Sequence, residues 1–204
     1  MPLKFANNQS LTATTALPSA VPTDNLILIS SQTASNSANI SFTTGLNGTY
    51  DEYQFKFIDI YPRTDAVEFQ FNGSTDGGSN YNVTKTTTVF DAFHNEADSS
   101  TGLTYESTLD IAQGTGFQRL NAGDGLGSDS DQCLVGSIQL YNPSSTTYVK
   151  HFISRIQHSG SSNYSLDSYI AGYFNTTSAV NAVRFQMSSG NFDGIIKLYG
   201  VKKS

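Results

Sequence analysis

Alternation with a period of two constrains this chain more than any other feature of its sequence. In AVEFQFNG, Val67, Phe69 and Phe71 fall on one side of an extended segment, and Glu68, Gln70 and Asn72 on the other. YDEYQFKFIDI (50–60) repeats the pattern, with Tyr53, Phe55 and Phe57 between Glu52, Gln54 and Lys56. So does AVNAVRFQMS (179–188), where Val183, Phe185 and Met187 alternate with Arg184, Gln186 and Ser188. Successive side chains of a strand point to opposite faces, so this spacing specifies half-buried strands and is incompatible with a helix. The alternation changes phase near Ile58, where Ile58 and Ile60 become the apolar positions and Asp59 the polar one. A bulge there would account for the change of face.

Further strands are predicted at NLILIS (25–30) and ANISFT (38–43), which flank the polar stretch SQTASNSA, and in the run from Asn82 to Phe93. More follow at CLVGSIQLY (133–141), TYVKHFISRIQH (147–158), SYIAGYFN (168–175) and GIIKLYGV (194–201). Asn47-Gly48, STDGGSN (74–80), Asn142-Pro143 and residues 159–163 supply the turns. The reading is all-β, with nine or ten mostly antiparallel strands. A single jelly-roll-like antiparallel β-sandwich over 25–204 is the economical architecture. Residues 1–24 carry Pro2, Pro18 and Pro22 in a segment without sustained period and read as an extended arm. Leu3, Phe5 and Leu11 are its candidate anchors on a partner. The middle, His94 to Gln132, is the least regular part. Loops of that length are either functional or crossovers between sheets, and DIAQ is the one place for a short helical turn.

Composition excludes more than it assigns. Hydrophobic residues are 37% of the 204, charged residues 14%, and 13 Phe with 11 Tyr supply a core without any Trp. Eleven Lys and Arg spread thinly through a chain of net charge −6 make no concentrated positive face, so nucleic acid is not an expected partner. No apolar run is long enough to insert in a membrane. MPLKFANNQS lacks the apolar stretch of a secretory signal, so synthesis and folding in the cytoplasm is the expectation. Cys133 stands alone and reads as a small hydrophobe on a strand.

Chemistry-bearing residues are few. Asp124, Asp129 and Asp131 in AGDGLGSDSDQ could offer oxygen ligands to Ca²⁺, the one metal worth testing, although their spacing is not that of an EF-hand. FDAFHNEAD gathers Asp91, His94, Glu96 and Asp98 near a strand end, where a His beside carboxylates could act as base or ligand. On 147–158, His151, Ile153 and Arg155 share one face. Lys150, Phe152, Ser154 and Ile156 share the other, joined by His158 if the strand runs unbroken. No Gly-x-Ser-x-Gly elbow is present. Tyr61, Tyr81, Tyr105, Tyr141, Tyr164 and Tyr173 fall in or near turns, where exposed rings can stack on sugars or anchor an interface.

SFTTGLNGTYDEYQFKFIDIYP, YNPSSTTYVKHFISR, AGYFNTTSAV and MSSGNFDGIIKLYGV resemble a family of small, mostly uncharacterised virion structural proteins of marine tailed bacteriophages. The resemblance covers roughly residues 25–201 and is most specific at the C-terminal end. It implies a capsid decoration or knob protein, or a fibre or tail-appendage subunit, located in the virion. Such a protein would be non-enzymatic, without cofactor, and would act on other virion proteins, with a homo-oligomer expected and a trimer as the specific expectation. The alternative is a receptor-binding module that recognises host surface glycans through loops near 72–81 and 124–131, with Asp76, Tyr81 and Tyr105 as candidate contacts.

Overall fold

The computed structural model describes residues 25–202. The arm with Leu3, Phe5 and Leu11 lies outside them. Twelve strands follow in order: β1 (Leu26–Ser37), β2 (Asn39–Phe42), β3 (Glu52–Pro62), β4 (Phe69–Ser74), β5 (Lys85–Asn95), β6 (Thr101–Tyr105), β7 (Gln118–Arg119), β8 (Leu134–Tyr141), β9 (Lys150–Ser159), β10 (Tyr164–Phe174), β11 (Ala182–Met187) and β12 (Phe192–Val201). They form an eight-stranded sheet, β1-β12-β3-β8-β9-β10-β5-β6, and a four-stranded sheet, β2-β11-β4-β7. Every named pair is antiparallel. The fold is therefore an all-β sandwich of two antiparallel sheets.

Period-two alternation builds the seam between the sheets. Tyr53, Phe55 and Phe57 of β3 face Phe69 and Phe71 of β4 and Phe185 of β11, and all are essentially unexposed. Phe185 stands at the centre, with ring centroids 5.1 Å from Phe55 and from Phe57, 5.9 Å from Phe69 and 6.3 Å from Phe42 and from Phe71. Edge-to-face and offset pairs of this kind add about 0.5–1.5 kcal/mol each beyond the area they bury. The predicted bulge is present. The β3–β8 register slips between Phe57 and Ile60, and Asp59 takes a φ of 49°.

Four expectations change. The polar stretch between NLILIS and ANISFT is continuous strand, because β1 is an edge strand whose outward side chains face water; its inward Ala34 is buried. TGLTY (101–105) is the edge strand β6, made by pairing with β5 despite its exposed side chains. Adding β6 and the two-residue β7 brings the strands to twelve rather than nine or ten. DIAQ forms no helical turn. The turn comes earlier, where the amides of Leu109 and Asp110 donate to the Glu106 carbonyl at 3.0 and 3.3 Å.

The two sheets differ in width, and the irregular middle makes up the difference. The chain after β6 follows the free edge of β5, with Glu106, Thr87 and Lys85 amides donating to Val89, Ile111 and Gly114 carbonyls. It then runs beside β4 and bridges Val67 and Gly160 at Leu126. This crossover lies over the inward side chains of β5, β9 and β10. The Ala122 amide donates to Ser168 Oγ at 2.8 Å, Thr87 Oγ1 donates to Gln118 Oε1 at 2.7 Å, and His158 Nε2 lies 2.9 Å from the Asp124 carbonyl. Leu120, Asn121, Ala122 and Leu126 of the crossover are buried as deeply as the strands.

Candidate functional site

The outer face of the large sheet has no covering layer from the described residues. Across β8, β9, β10, β5 and β6 the register lines up Ser137, Arg155, Tyr169, Phe90 and Tyr105 in one row. A second row holds Gln139, Ile153, Ala171 and Thr88, and a third ends on Ala92 and Leu103. Phe90 and Tyr169 stack with centroids 4.8 Å apart and planes 3° off parallel, and the Arg155 guanidinium lies 5.2 Å over Tyr169. Arg155 is clamped by Asp167, Nε to Oδ1 at 3.0 Å and Nη2 to Oδ2 at 2.6 Å, while the Tyr169 hydroxyl donates to Oδ2 at 3.0 Å. Hydrogen bonding from Arg155 holds the Asp167 carboxyl below the usual carboxylate range. Phe90 is 41% exposed, Ile153 50% and Leu103 73%, so the face presents apolar and aromatic surface held in place by a charged clamp. A shallow depression of about 540 Å³ opens around Ala171, between Tyr141, His151, Ile153 and Tyr173.

The candidates named from sequence are distributed otherwise. Tyr81 is buried beneath the Arg184 guanidinium, 4.1 Å from its ring centre. Asp76 closes its own loop, accepting from Ser74 Oγ at 2.6 Å, the Asn80 amide at 2.9 Å and Asn80 Nδ2 at 2.7 Å. These bonds, Ser74 first, draw its carboxyl down to about 2. Tyr105 is exposed, but on β6 at the edge of the other sheet, its hydroxyl donating to Asp110 Oδ2 at 2.7 Å. The loop 72–81 therefore spends its polar groups on itself and on its neighbours, with Asn72 Nδ2 donating to Thr115 O at 2.9 Å and the Gly77 amide to Asn181 Oδ1 at 2.9 Å.

Asp124, Asp129 and Asp131 do not converge. Asp124 is pinned by the Ser162 amide at 2.6 Å and Ser161 Oγ at 3.3 Å, whereas Asp129 and Asp131 face water. Among the described residues no three His, Cys, Asp or Glu side chains come together as a metal site. His94 pairs with Asp98 at 3.0 Å in solvent. On β9 the two faces separate as read from sequence: His151 points out and His158 in. The Cys133 thiol is pushed up by partial burial, which leaves it a poor nucleophile.

One residue from each acidic cluster does meet. Asp91, on the inward side of β5, and Asp124, on the crossover, line a cavity of about 230 Å³ together with Glu106, Phe93, Tyr164 and Leu166. Asp91 is 1% exposed, and no N–H or O–H group reaches either carboxylate oxygen. Burial, then the neighbouring Glu106 carboxylate, raises it to about 6. Gly123, at φ +65°, passes so close that a Cβ there would stand 2.5 Å from Leu166 Cδ2 and 2.9 Å from Asp91 Oδ2. Arg119 donates through Nε to the Asn121 carbonyl and through Nη2 to Gly123 O at 2.8 Å, and its Nη1 lies 3.6 Å from Glu68. His158, drawn down to about 4 by burial, stays neutral.

Sequence reading missed Glu106, Arg119 and the buried Lys85, whereas Lys150 was already placed with Phe152 and Ile156 on the face that proves to be inward. Lys85 Nζ donates to Gly116 O at 2.5 Å, and burial draws it down to about 8. Lys150 Nζ donates to Tyr148 O at 2.8 Å and Thr176 O at 3.0 Å. A signal did exist: Lys85 and Asp91 are in phase with Thr87 and Val89, so a charge occupies the inward phase of a strand. Comparison with family models, curated proteins and solved structures finds no match for this chain.

Proposed function

We propose that this protein is a non-enzymatic structural subunit of a tailed-phage virion, a capsid decoration or knob protein or a tail-fibre appendage, that works by protein–protein contact. The observation that carries the reading is the uncovered outer face of β8, β9, β10, β5 and β6, where Phe90, Ile153 and Leu103 are exposed on a rigid sheet. Neighbouring subunits, including further copies of this chain, cover that face, and residues 1–24 attach the sandwich to the particle.

Strand order supports a jelly-roll reading of the sandwich. Without the two added hairpins β5–β6 and β9–β10, the sheets become β1-β12-β3-β8 and β2-β11-β4-β7. The pairs β1–β12, β2–β11, β3–β8 and β4–β7 are then nested, first with last and so inward, as in one long hairpin rolled into two sheets. Jelly rolls recur among viral capsid and lectin domains, a fold-level analogy that favours a surface role without assigning one. The phage resemblance in the sequence points the same way.

Light scattering of the full chain tests the contact. The expected species is a trimer, which the double change Ile153→Lys with Leu103→Lys converts to monomer, and phage particles should carry the wild-type chain but not the variant. A monomeric wild type absent from particles would overturn the reading. Specific binding on a glycan array, lost on Tyr173→Ala, would replace it with host-glycan recognition by the depression around Ala171.

A further inference from the structure

The cavity under β5 and β10 has the chemistry of a receptor for one positive charge. Ionised carboxylates only accept hydrogen bonds. Asp91 and Glu106 therefore satisfy each other only by holding a proton between them, or by taking donors from outside. Arg119, the cation beside them, turns its donors to the Asn121 and Gly123 carbonyls instead. Asp124 adds a third carboxylate to the lining, and Phe93 and Tyr164, edge to face at 5.9 Å, supply aromatic walls. A cation is attracted to the negative face of such rings.

The geometry points to a binding site for a single basic side chain, a Lys ammonium or Arg guanidinium presented by a partner polypeptide, seated between Asp91 and Glu106. Other occupants fit less well. Asp124, held by the Ser162 amide and Ser161 Oγ, does not close on Asp91 and Glu106 as a metal site. A neutral sugar brings no positive charge to offset the three carboxylates of the lining. The site is also independent of the outer face, since Asp91 points inward from the strand on which Phe90 points outward.

The test is a titration of the isotope-labelled full chain with capped arginine and capped lysine, following the Gly123 and Leu166 amides by NMR. Saturable shifts are expected at about pH 7.5, with Kd of about 1 mM for a single charged group. Binding should be at least about tenfold weaker in Asp91→Asn, because the neutral amide no longer attracts the cation. It should also weaken as pH falls below about 6, where Asp91 takes up its proton among Glu106, Arg119, Asp124 and the neutral His158. Capped glutamine should shift nothing. Glu106→Gln, at a partly exposed position, gives a second reading should Asp91→Asn fold poorly. The proposal fails if no saturable shift appears, if both variants keep wild-type affinity, or if glucose or Ca²⁺ saturates the same amides while the capped cations do not. None of these outcomes depends on whether the chain enters a virion.

Discussion

The two halves of the sandwich interior are built on different rules. Where the four-stranded sheet covers β1, β12, β3 and β8, the large sheet contributes only apolar side chains to the buried interior. Where the crossover covers β9, β10 and β5, the interior holds Lys85, Thr87, Asp91, Gln118, Asn121, Lys150, Ser154, His158 and Ser168, none more than 5% exposed. The physical cause is the covering layer. A sheet arrives with its backbone groups already paired, so only side chains meet at the seam. A loop arrives with amides and carbonyls unpaired, and burying them demands polar partners from the strands beneath. Ser168 answers the Ala122 amide, Thr87 Oγ1 takes the Ile111 amide at 2.8 Å, and Lys85 takes the Gly116 carbonyl. Asp91 answers none, and for that reason it stands out as a site.

The largest effect should come from the apolar half. Phe185→Ala removes the ring around which five others pack and should cost about 3–5 kcal/mol in urea unfolding. A loss under about 1 kcal/mol would mean that the seam repacks and the contrast between halves is weaker than drawn.

Next comes the pH response of the polar half. Folded His158 titrates near 4, below the usual histidine value, so the unfolded chain takes up its proton first as pH falls. That proton uptake should remove roughly 2–3 kcal/mol of stability between about pH 6.5 and 4, and His158→Gln should flatten the slope. Asp91 acts in the opposite sense. Its folded carboxyl, raised to about 6, binds a proton before the unfolded one does, so its penalty is full above that value and fades as pH falls toward 4. Asp91→Asn should therefore stabilise the protein by about 1–2 kcal/mol at neutral pH, have no effect near pH 4, and leave the variant with a steeper acid decline than wild type. Equal stability of the two proteins across the whole range would show that Asp91 is compensated after all.

The smallest effect on stability belongs to the outer face. Ile153→Lys should change unfolding free energy by no more than about 0.5 kcal/mol, since its side chain is half in water, and combined with Leu103→Lys it should abolish the proposed self-association. A large destabilisation would make the face part of the fold rather than a contact surface.

The parts legible in the sequence are those governed by nearest neighbours along the chain. Phe69 and Phe71, the bulge at Asp59, and the separation of His151 from Ile156 all follow from period-two alternation, which is a property of one strand at a time. Edge strands were legible only in part, through NLILIS in β1 and ANISFT in β2. β1 runs through SQTASNS and β6 through TGLTY because a neighbouring strand offers backbone hydrogen bonds, and an edge needs only one apolar side or none. The candidate residues fared similarly. Asp91 and Asp124 were each visible within a local acidic cluster, but their true companions were each other and Glu106, not the carboxylates adjacent in sequence.

By itself, then, the sequence determined a strand-built sandwich with a Phe-rich seam, since alternation and composition act residue by residue along each strand. Tertiary structure alone decided how wide each sheet is, and hence that a crossover must cover half of the larger one. Sheet width depends on which strands pair across long separations, and no local pattern encodes that. The buried charges and the acidic cavity follow from that mismatch in width, and the bare outer face from the described residues forming only two layers.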